Sequence, residues 1–211
     1  MSFHPKFDEL PETLPIFPLP GAVVLPHSAL PLNIFEPRYL EMVRDALTEP
    51  CRLIGMVQPQ VEQEDAETVF SVGCAGRVSA FQETDDGRYM IQLTGVCRFL
   101  IRDELSTERG YRRFRVDWSA YAADLAAPDA VVDLVSLKSA LASYIEKNQL
   151  SLSWEAVDEL GGEELTNALT QSLPFGVEDK QLLLEAPSLD DRVAVLTALL
   201  ARGSGSAVAL H

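Results

Sequence analysis

Chemistry at a protein surface needs groups that move protons, bind metals or attack carbonyls, and this chain is poor in them. Its three histidines are His4, His27 and His211. The first and last lie at the chain's extremities, so only His27 stands within sequence able to fold. Ser28 follows it. Adjacent residues on an extended chain point apart, and a nucleophile needs its base within hydrogen-bond reach and a third group orienting that base. No catalytic pair is expected from His27 and Ser28. The three cysteines, Cys51, Cys74 and Cys97, recur every 23 residues but form no C-x-x-C spacing of a zinc or redox site. They read as small buried hydrophobes. The chain carries no G-x-x-x-x-G-K-[ST] loop, no G-x-S-x-G elbow and no H-E-x-x-H helix, and each of those reactions requires its motif. The expectation is a non-enzyme with no cofactor and no metal.

Two charged constellations remain. Glu36 and Arg38 can act as a polar anchor in a peptide groove or as an internal ion pair fastening a strand to a helix, and the second reading is preferred. Arg98 and Arg102 share the parity opposite to the apolar face of one strand, and Arg113 and Arg115 do the same on the next. If those strands are neighbours, four guanidiniums share one solvent face and could meet an anionic partner, RNA included. Against this stand Asp103, Glu104 and Asp117 close by, and a net charge of −15 from 17 basic and 32 acidic residues. Residues 116–211 hold only 5 basic residues against 15 acidic ones. Phosphate backbones and anionic membrane surfaces are therefore disfavoured as partners.

These residues must be positioned by folded elements, and a length of 211 residues is enough to bury a substantial core. Residues 69–101 alternate with period two about the turn Thr84-Asp85-Asp86-Gly87, which predicts a long β-hairpin. Phe114, Val116, Trp118 and Ala120 alternate in a further strand that the same sheet receives, and 52–57 reads as another. After Tyr121 the composition turns small and polar, with a boundary near Pro128. Leu134, Leu137, Leu141 and Tyr144 then mark an amphipathic helix over about 130–147. Shorter helices follow at Ser153, at 163–173 and at 180–185. The last begins at Ser188, where Asp191 completes a capping pair, and closes at Gly203. Expected boundaries are 1–123 for a β domain with one helix near 37–48, 129–203 for a helical bundle, and 204–211 for a tail.

Residues 14–39, LPIFPLPGAVVLPHSALPLNIFEPRY, hold six prolines. The residues between them, among them Ile16, Phe17, Val23, Val24, Leu25, Leu32 and Phe35, are too apolar for a solvated polyproline ligand. The prolines are read as corners of a fold. Pro18-Leu19-Pro20-Gly21 ends a short edge strand with a turn, Leu30 to Phe35 is a core strand, and Pro37 starts a helix whose stripe is Tyr39, Leu40, Val43 and Leu47.

This opening stretch, with Phe35-Glu36-Pro37-Arg38-Tyr39 at its centre, resembles the start of the Lon N-terminal domain, the substrate-recognition segment of ATP-dependent Lon proteases. A second segment, LPFGVEDKQLLLEAPSLDDRVAVL, is similar to the helical part of that family, through Leu173-Pro174, Lys180 to Glu185 and Arg192. The resemblance covers about residues 10–202. It implies an α+β fold, a PUA-like antiparallel β pseudo-barrel followed by a small α-helical bundle. It also implies a stand-alone, non-catalytic module that binds proteins or unfolded peptide segments, in protein quality control. Pro26, His27, Arg38 and Tyr39 are the candidate binding residues. The N-terminus lacks the basic-then-apolar order of a secretory signal and no stretch reaches the ~18 apolar residues of a membrane span. A reduced, cytoplasmic setting is expected.

Overall fold

Proline decides much of the strand arrangement in the first part of the chain. The structure is a computed structural model describing residues 5–60, 68–106, 108–126 and 132–203. His4, His211, the Pro128 boundary, the expected helix start at 130 and the tail 204–211 lie outside the described residues. The chain divides into two compact units, Met1–Ala127 and Pro128–His211.

The first unit holds strands β1 (Thr13–Pro18), β2 (Ala29–Ile34), β3 (Leu53–Val57), β4 (Val72–Glu83), β5 (Tyr89–Leu105) and β6 (Arg112–Asp117). Helix α1 (Pro37–Thr48) follows β2, and 3-10 turns occupy Phe7–Glu9 and Ser119–Leu125. The strands are ordered β2-β5-β4-β3-β1-β6, and β5 pairs with β6 as well. A length of 17 residues lets β5 do both: Tyr89 to Thr94 carry β2, and Leu100 to Leu105 carry β6. The sheet thus curls back on itself without forming a regular barrel. The α+β class holds, but the expected antiparallel sheet is mixed, because β1 and β3 run parallel. Parallel neighbours need a long crossover, and β2 and α1 supply it.

Two strand expectations in the proline stretch are corrected. β1 is interior rather than an edge: β6 pairs with it from Thr13 to Ile16 and β3 only from Ile16 to Pro18. Pro15 and Pro18 therefore each lie outside one of the two ladders, where a missing N–H leaves nothing unpaired. β2 is the edge strand rather than a core strand. Ala29, Pro31 and Asn33 are exposed, Leu30 and Leu32 half-buried, and Phe35 is 62% exposed. The turn after β1 uses Gly21 at φ 71. Helix α1 begins at Pro37 as expected, but its buried stripe is Tyr39, Met42, Val43 and Ala46, rotated slightly from the sequence reading. Each large side chain so buried stabilises by about 2 kcal/mol.

The β4–β5 hairpin turns at Thr84 to Gly87, where Gly87 has φ 80. Its alternation is broken by register shifts between Ala75 and Gly76 and between Val78 and Ala80. Each extra residue exchanges the faces of everything beyond it. One expected apolar face accordingly becomes two, and Ala75, Val96, Cys97 and Phe99 pack with Leu14, Ile16, Leu53, Phe114, Val116 and Trp118. Burial pushes the Cys97 thiol up to about 12, so it stays protonated and inert, as a small hydrophobe does.

The loop from Val23 to Ser28 is clamped against β5 at Gly95. His27 donates its N–H to the Gly95 carbonyl at 3.0 Å, Gly95 donates to the Ser28 carbonyl at 2.8 Å, and Ser28 Oγ donates to the Leu25 carbonyl at 2.8 Å. The approach is so close that a Cβ on Gly95 would stand 1.8 Å from the Leu25 oxygen.

The second unit contains α2 (Leu134–Lys147), α3 (Trp154–Glu159), α4 (Gly162–Ser172), α5 (Val177–Glu185) and α6 (Leu189–Arg202). Asp133, Ser153 and Ser188 cap α2, α3 and α6 with their side chains, and Gly203 ends α6 in the left-handed conformation at φ 62. Leu137, Leu141, Tyr144, Leu165, Leu183 and Leu196 form the centre of its core. Two buried cations serve helix ends. Lys180 Nζ donates to the Gln171 carbonyl in the last turn of α4 at 2.9 Å. Arg192 Nε donates to the Leu183 carbonyl in the last turn of α5 at 3.0 Å, and its Nη1 to Asn167 Oδ1 at 3.4 Å. Unpaired terminal carbonyls and the negative end of the helix dipole both favour a cation there.

Gly95→Ala is expected to destabilise the first unit by about 3 kcal/mol, the upper range for forcing an atom into a packed site, read as a drop in the urea midpoint. Burial holds the Lys180 amine below its ordinary value of 10.5. Between that lowered value and 10.5 the unfolded chain binds more protons, so stability rises with pH there. Lys180→Met removes this term, and urea titrations at pH 8 and pH 10 are expected to show the wild type gaining on the variant as pH rises.

Candidate functional site

The segment Phe35 to Tyr39 turns the chain from edge strand into helix, and each of its side chains takes a different direction. Pro37 occupies the first helical position after Glu36, whose carbonyl accepts from the Leu40 N–H at 2.9 Å. Tyr39 is buried, its ring 4.2 Å from that of Phe17 on β1. Arg38 folds back on Glu36 at 2.8 Å, and its guanidinium lies 4.6 Å over the Tyr39 ring. This is the ion pair joining strand to helix that the sequence suggested. Phe35 is left pointing outward.

Beside it is a hollow of about 70 Å³ lined by Phe17, Leu19, Leu32, Ile34, Phe35 and Tyr39, with Asn33 and Glu36 supplying its polar rim. The apolar surface continues along the sheet. Ile91 is flanked by Leu32 on β2 and Phe81 on β4, direct cross-strand partners that share its face, and Phe81 is 43% exposed. Ile91 between them is buried, so the exposed apolar surface is that of Phe35 and Phe81 at its two ends, and exposed apolar side chains are a feature of interaction surfaces. Nothing in the arrangement moves protons. It can hold a small apolar side chain and a flanking polar or cationic group.

Of the four candidate binding residues, Tyr39 forms the floor of this hollow and Arg38 covers the Tyr39 ring. Pro26 and His27 are not among its lining residues and belong to the loop clamped at Gly95. Pro26 is buried, while His27 is exposed in a left-handed conformation at φ 62. Phe35, Leu19 and Leu32, which also line the hollow, were not among the candidates read from the sequence. The available signal was Phe35, a large aromatic out of step with the Leu30, Leu32, Ile34 alternation.

The arginine face is corrected. Arg98 is 4% exposed, not on a solvent face. It makes a two-point ion pair with Asp124, Nε at 2.8 Å and Nη2 at 2.7 Å, and lies 4.5 Å over the Tyr121 ring. Parity named its face correctly but could not show that the Ser119–Leu125 turn, with Tyr121 and Asp124, covers that face. The exposed guanidiniums are already neutralised: Arg102 pairs with Asp117, Arg115 with Asp103 at 3.2 Å, and neighbouring Arg112 with Glu104 at 2.7 Å. Hydrogen bonds from Arg102 and Ser119 hold the Asp117 carboxyl well below the usual carboxylate range, and Arg112 lowers Glu104 likewise. Arg113 reaches Thr13 Oγ1 at 3.3 Å, and its buried Nε has no partner among the described residues. Its ladder partner is Pro15, which offers no side-chain acceptor.

In the second unit an open groove of about 540 Å³ runs between α2 and α6, lined by Ala194, Ala198 and Ala201 with Asp133 and Asp190. It has no aromatic side chain, and Ser136 and Thr197 complete its polar lining. Among the described residues no group of three or more His, Cys, Asp or Glu is placed to hold a metal, and no helix is long and apolar enough to cross a membrane.

Residues 13–202 match the family model described as the ATP-dependent protease La (LON) substrate-binding domain. The chain is 27% identical over 209 residues to Lon protease 2 of Sorangium cellulosum, an alignment covering 90% of this chain and 25% of that protein. It is 28% identical over 211 residues to Lon protease of Anaeromyxobacter dehalogenans, covering 92% and 24%. It thus spans about a quarter of the length of the curated relatives it matches. Among solved structures, a Lon N-terminal domain protein from Xanthomonas campestris superposes with a TM-score of 0.61 at 22% identity, over 88% of this chain and 97% of that one. The N-terminal domain of Mycobacterium avium complex Lon protease gives a TM-score of 0.63 at 15% identity, over 90% and 98%. These two share the fold.

Arg98→Met leaves Asp124 buried without its cation and is expected to cost about 3–5 kcal/mol. Arg115→Ala, which breaks a solvated pair, is expected to stay within about 0.5 kcal/mol. Paired urea denaturations check both.

Proposed function

The chain belongs to the family of the ATP-dependent protease La (LON) substrate-binding domain, and from that premise we propose that it recognises unfolded polypeptide segments through the apolar surface around Phe35. The observation that carries this reading is the exposed Phe35 ring standing beside a hollow floored by Phe17 and Tyr39. An aromatic side chain held rigidly by a strand-to-helix turn supplies contact area at little entropic cost. Unfolded chains differ from folded ones in exposing apolar side chains, so a small apolar socket selects for them.

Binding without catalysis belongs to the same reading. Ser28 Oγ, the one hydroxyl next to an internal histidine, is buried and bonded to both the N–H and the carbonyl of Leu25. The matched segment of the relatives is described by its binding, not by peptidase chemistry. We extend this reading to a role in protein quality control, which the kinship supports, in the cytoplasmic setting expected from the sequence. The RNA alternative is not favoured, because Arg98 is buried, Arg102 and Arg115 are paired with carboxylates, and Arg113 is half-buried against Thr13.

Phe35→Ser removes the exposed ring without touching the core. It is expected to weaken binding of fluorescently labelled, reduced and carboxymethylated α-lactalbumin by about tenfold, the effect of losing one aromatic hot spot, while the urea midpoint stays unchanged. Equal affinity of the two proteins in an anisotropy titration sinks the proposal. Casein is expected to remain intact on incubation with the chain, with or without ATP.

A further inference from the structure

β2 ends the sheet order, pairing with β5 on one side and with no strand on the other among the described residues. The register fixes which of its backbone groups look outward. Pro31 stands opposite Gln92, and a proline can sit in a ladder only where no N–H is owed. The bonds to β5 therefore run through Leu30, Leu32 and Ile34, because hydrogen-bonded and non-hydrogen-bonded positions alternate along an antiparallel pair. Pro31 and Asn33 turn their backbone groups to the open edge. Pro31 presents a carbonyl alone. Asn33 presents both an N–H and a carbonyl, directly beside Phe35 and the hollow.

We propose that the occupant of this surface is an extended polypeptide segment added to β2 as a short strand, paired through its backbone to Asn33. The inference rests on the reading of the chain as a polypeptide-recognition module and specifies how that module holds its substrate. Strand addition joins generic backbone bonds to side-chain pockets of alternate residues. The residue opposite Asn33 shares the exposed face of Asn33 and Met90. Its two neighbours then point to the face of Leu32 and Ile34, where the hollow lies. The preferred segment has apolar residues two apart, the pattern of a chain that has lost its sheet. Charge selects further through the −15 carried by the whole chain, since Glu36 on the rim is itself paired with Arg38. Basic flanks are favoured over acidic ones. The missing N–H of Pro31 keeps the added strand short and discourages edge-to-edge pairing of two copies, a known use of edge proline.

The test titrates the 15N-labelled 211-residue chain with the blocked peptide Lys-Leu-Thr-Leu-Lys and with the same peptide N-methylated at threonine, which removes the one donor facing Asn33. The parent peptide is expected to shift the amide signals of Leu32, Asn33 and Phe35, and the methylated peptide to bind at least tenfold more weakly. Asn33→Pro, which deletes the outward N–H and spares the bonds to β5, is expected to weaken the parent peptide to the same degree. The methylated peptide gives the same information on wild-type protein should that variant fold poorly. Equal binding of both peptides at β2 overturns strand addition and leaves recognition by Phe35 standing. Absence of shifts at β2 with the parent peptide at millimolar concentration overturns both.

Discussion

Proline has no N–H to give, and the first 40 residues are arranged around that lack. A proline between two strands leaves a hole in the hydrogen-bond ladder unless one neighbour stops short of it. Here β6 pairs with β1 as far as Ile16 and β3 begins there, so Pro15 and Pro18 fall on opposite sides of the handover. Pro31 has no N–H to give a second neighbour, which suits β2 to the edge it occupies beside β5. Pro37 then opens α1 where the N–H would have been idle. The mixed topology follows, because the β2 and α1 excursion between β1 and β3 is what makes those two strands parallel.

The same constraint separates structural charge from surface charge. With the ladders committed, charged side chains near the sheet either join them or leave. Arg98 is buried because Asp124, on the turn after β6, offers a two-point carboxylate and Tyr121 a ring face. Lys180 and Arg192 are buried because helix ends need their N–H groups. These three cations are parts of the scaffold. The exposed arginines face aspartates and glutamates across the strands, which leaves the sheet's outer face with little field to attract an anion.

Much of the fold was legible in the sequence where a residue type admits only one backbone solution. Pro37 at a helix start, Gly87 in a hairpin turn, Gly203 as a left-handed cap and Ser188 as an N-cap were all readable for that reason. Alternation was a poorer guide, because it is a count and any inserted residue resets it. Val96 and Ser79 are such insertions, and no local composition marks them. The arginine face failed for a different reason: parity gives the side a residue takes, not whether a later segment, here Tyr121 and Asp124, covers that side. The candidate site was half legible. Arg38 and Tyr39 were visible as parts of a motif, whereas the exposure of Phe35 depends on β2 being an edge, and that depends on pairings distant in sequence.

In Phe35 to Tyr39 a run of structural residues sits directly beside the proposed contact surface. Burying Tyr39 against Phe17 fixes the first turn of α1, and the Glu36–Arg38 pair lies across the Tyr39 ring and fixes the approach from β2. With both neighbours committed inward or along the surface, the strand-to-helix bend leaves Phe35 62% exposed at the mouth of the hollow. An aromatic ring kept in water costs solubility and contributes nothing to the core, so packing alone gives no reason to retain it there. The residues around it are explained by folding. In the reading proposed above Phe35 is the contact residue, and the rigidity that Pro37 and Tyr39 impose lets that contact form without first ordering a loop.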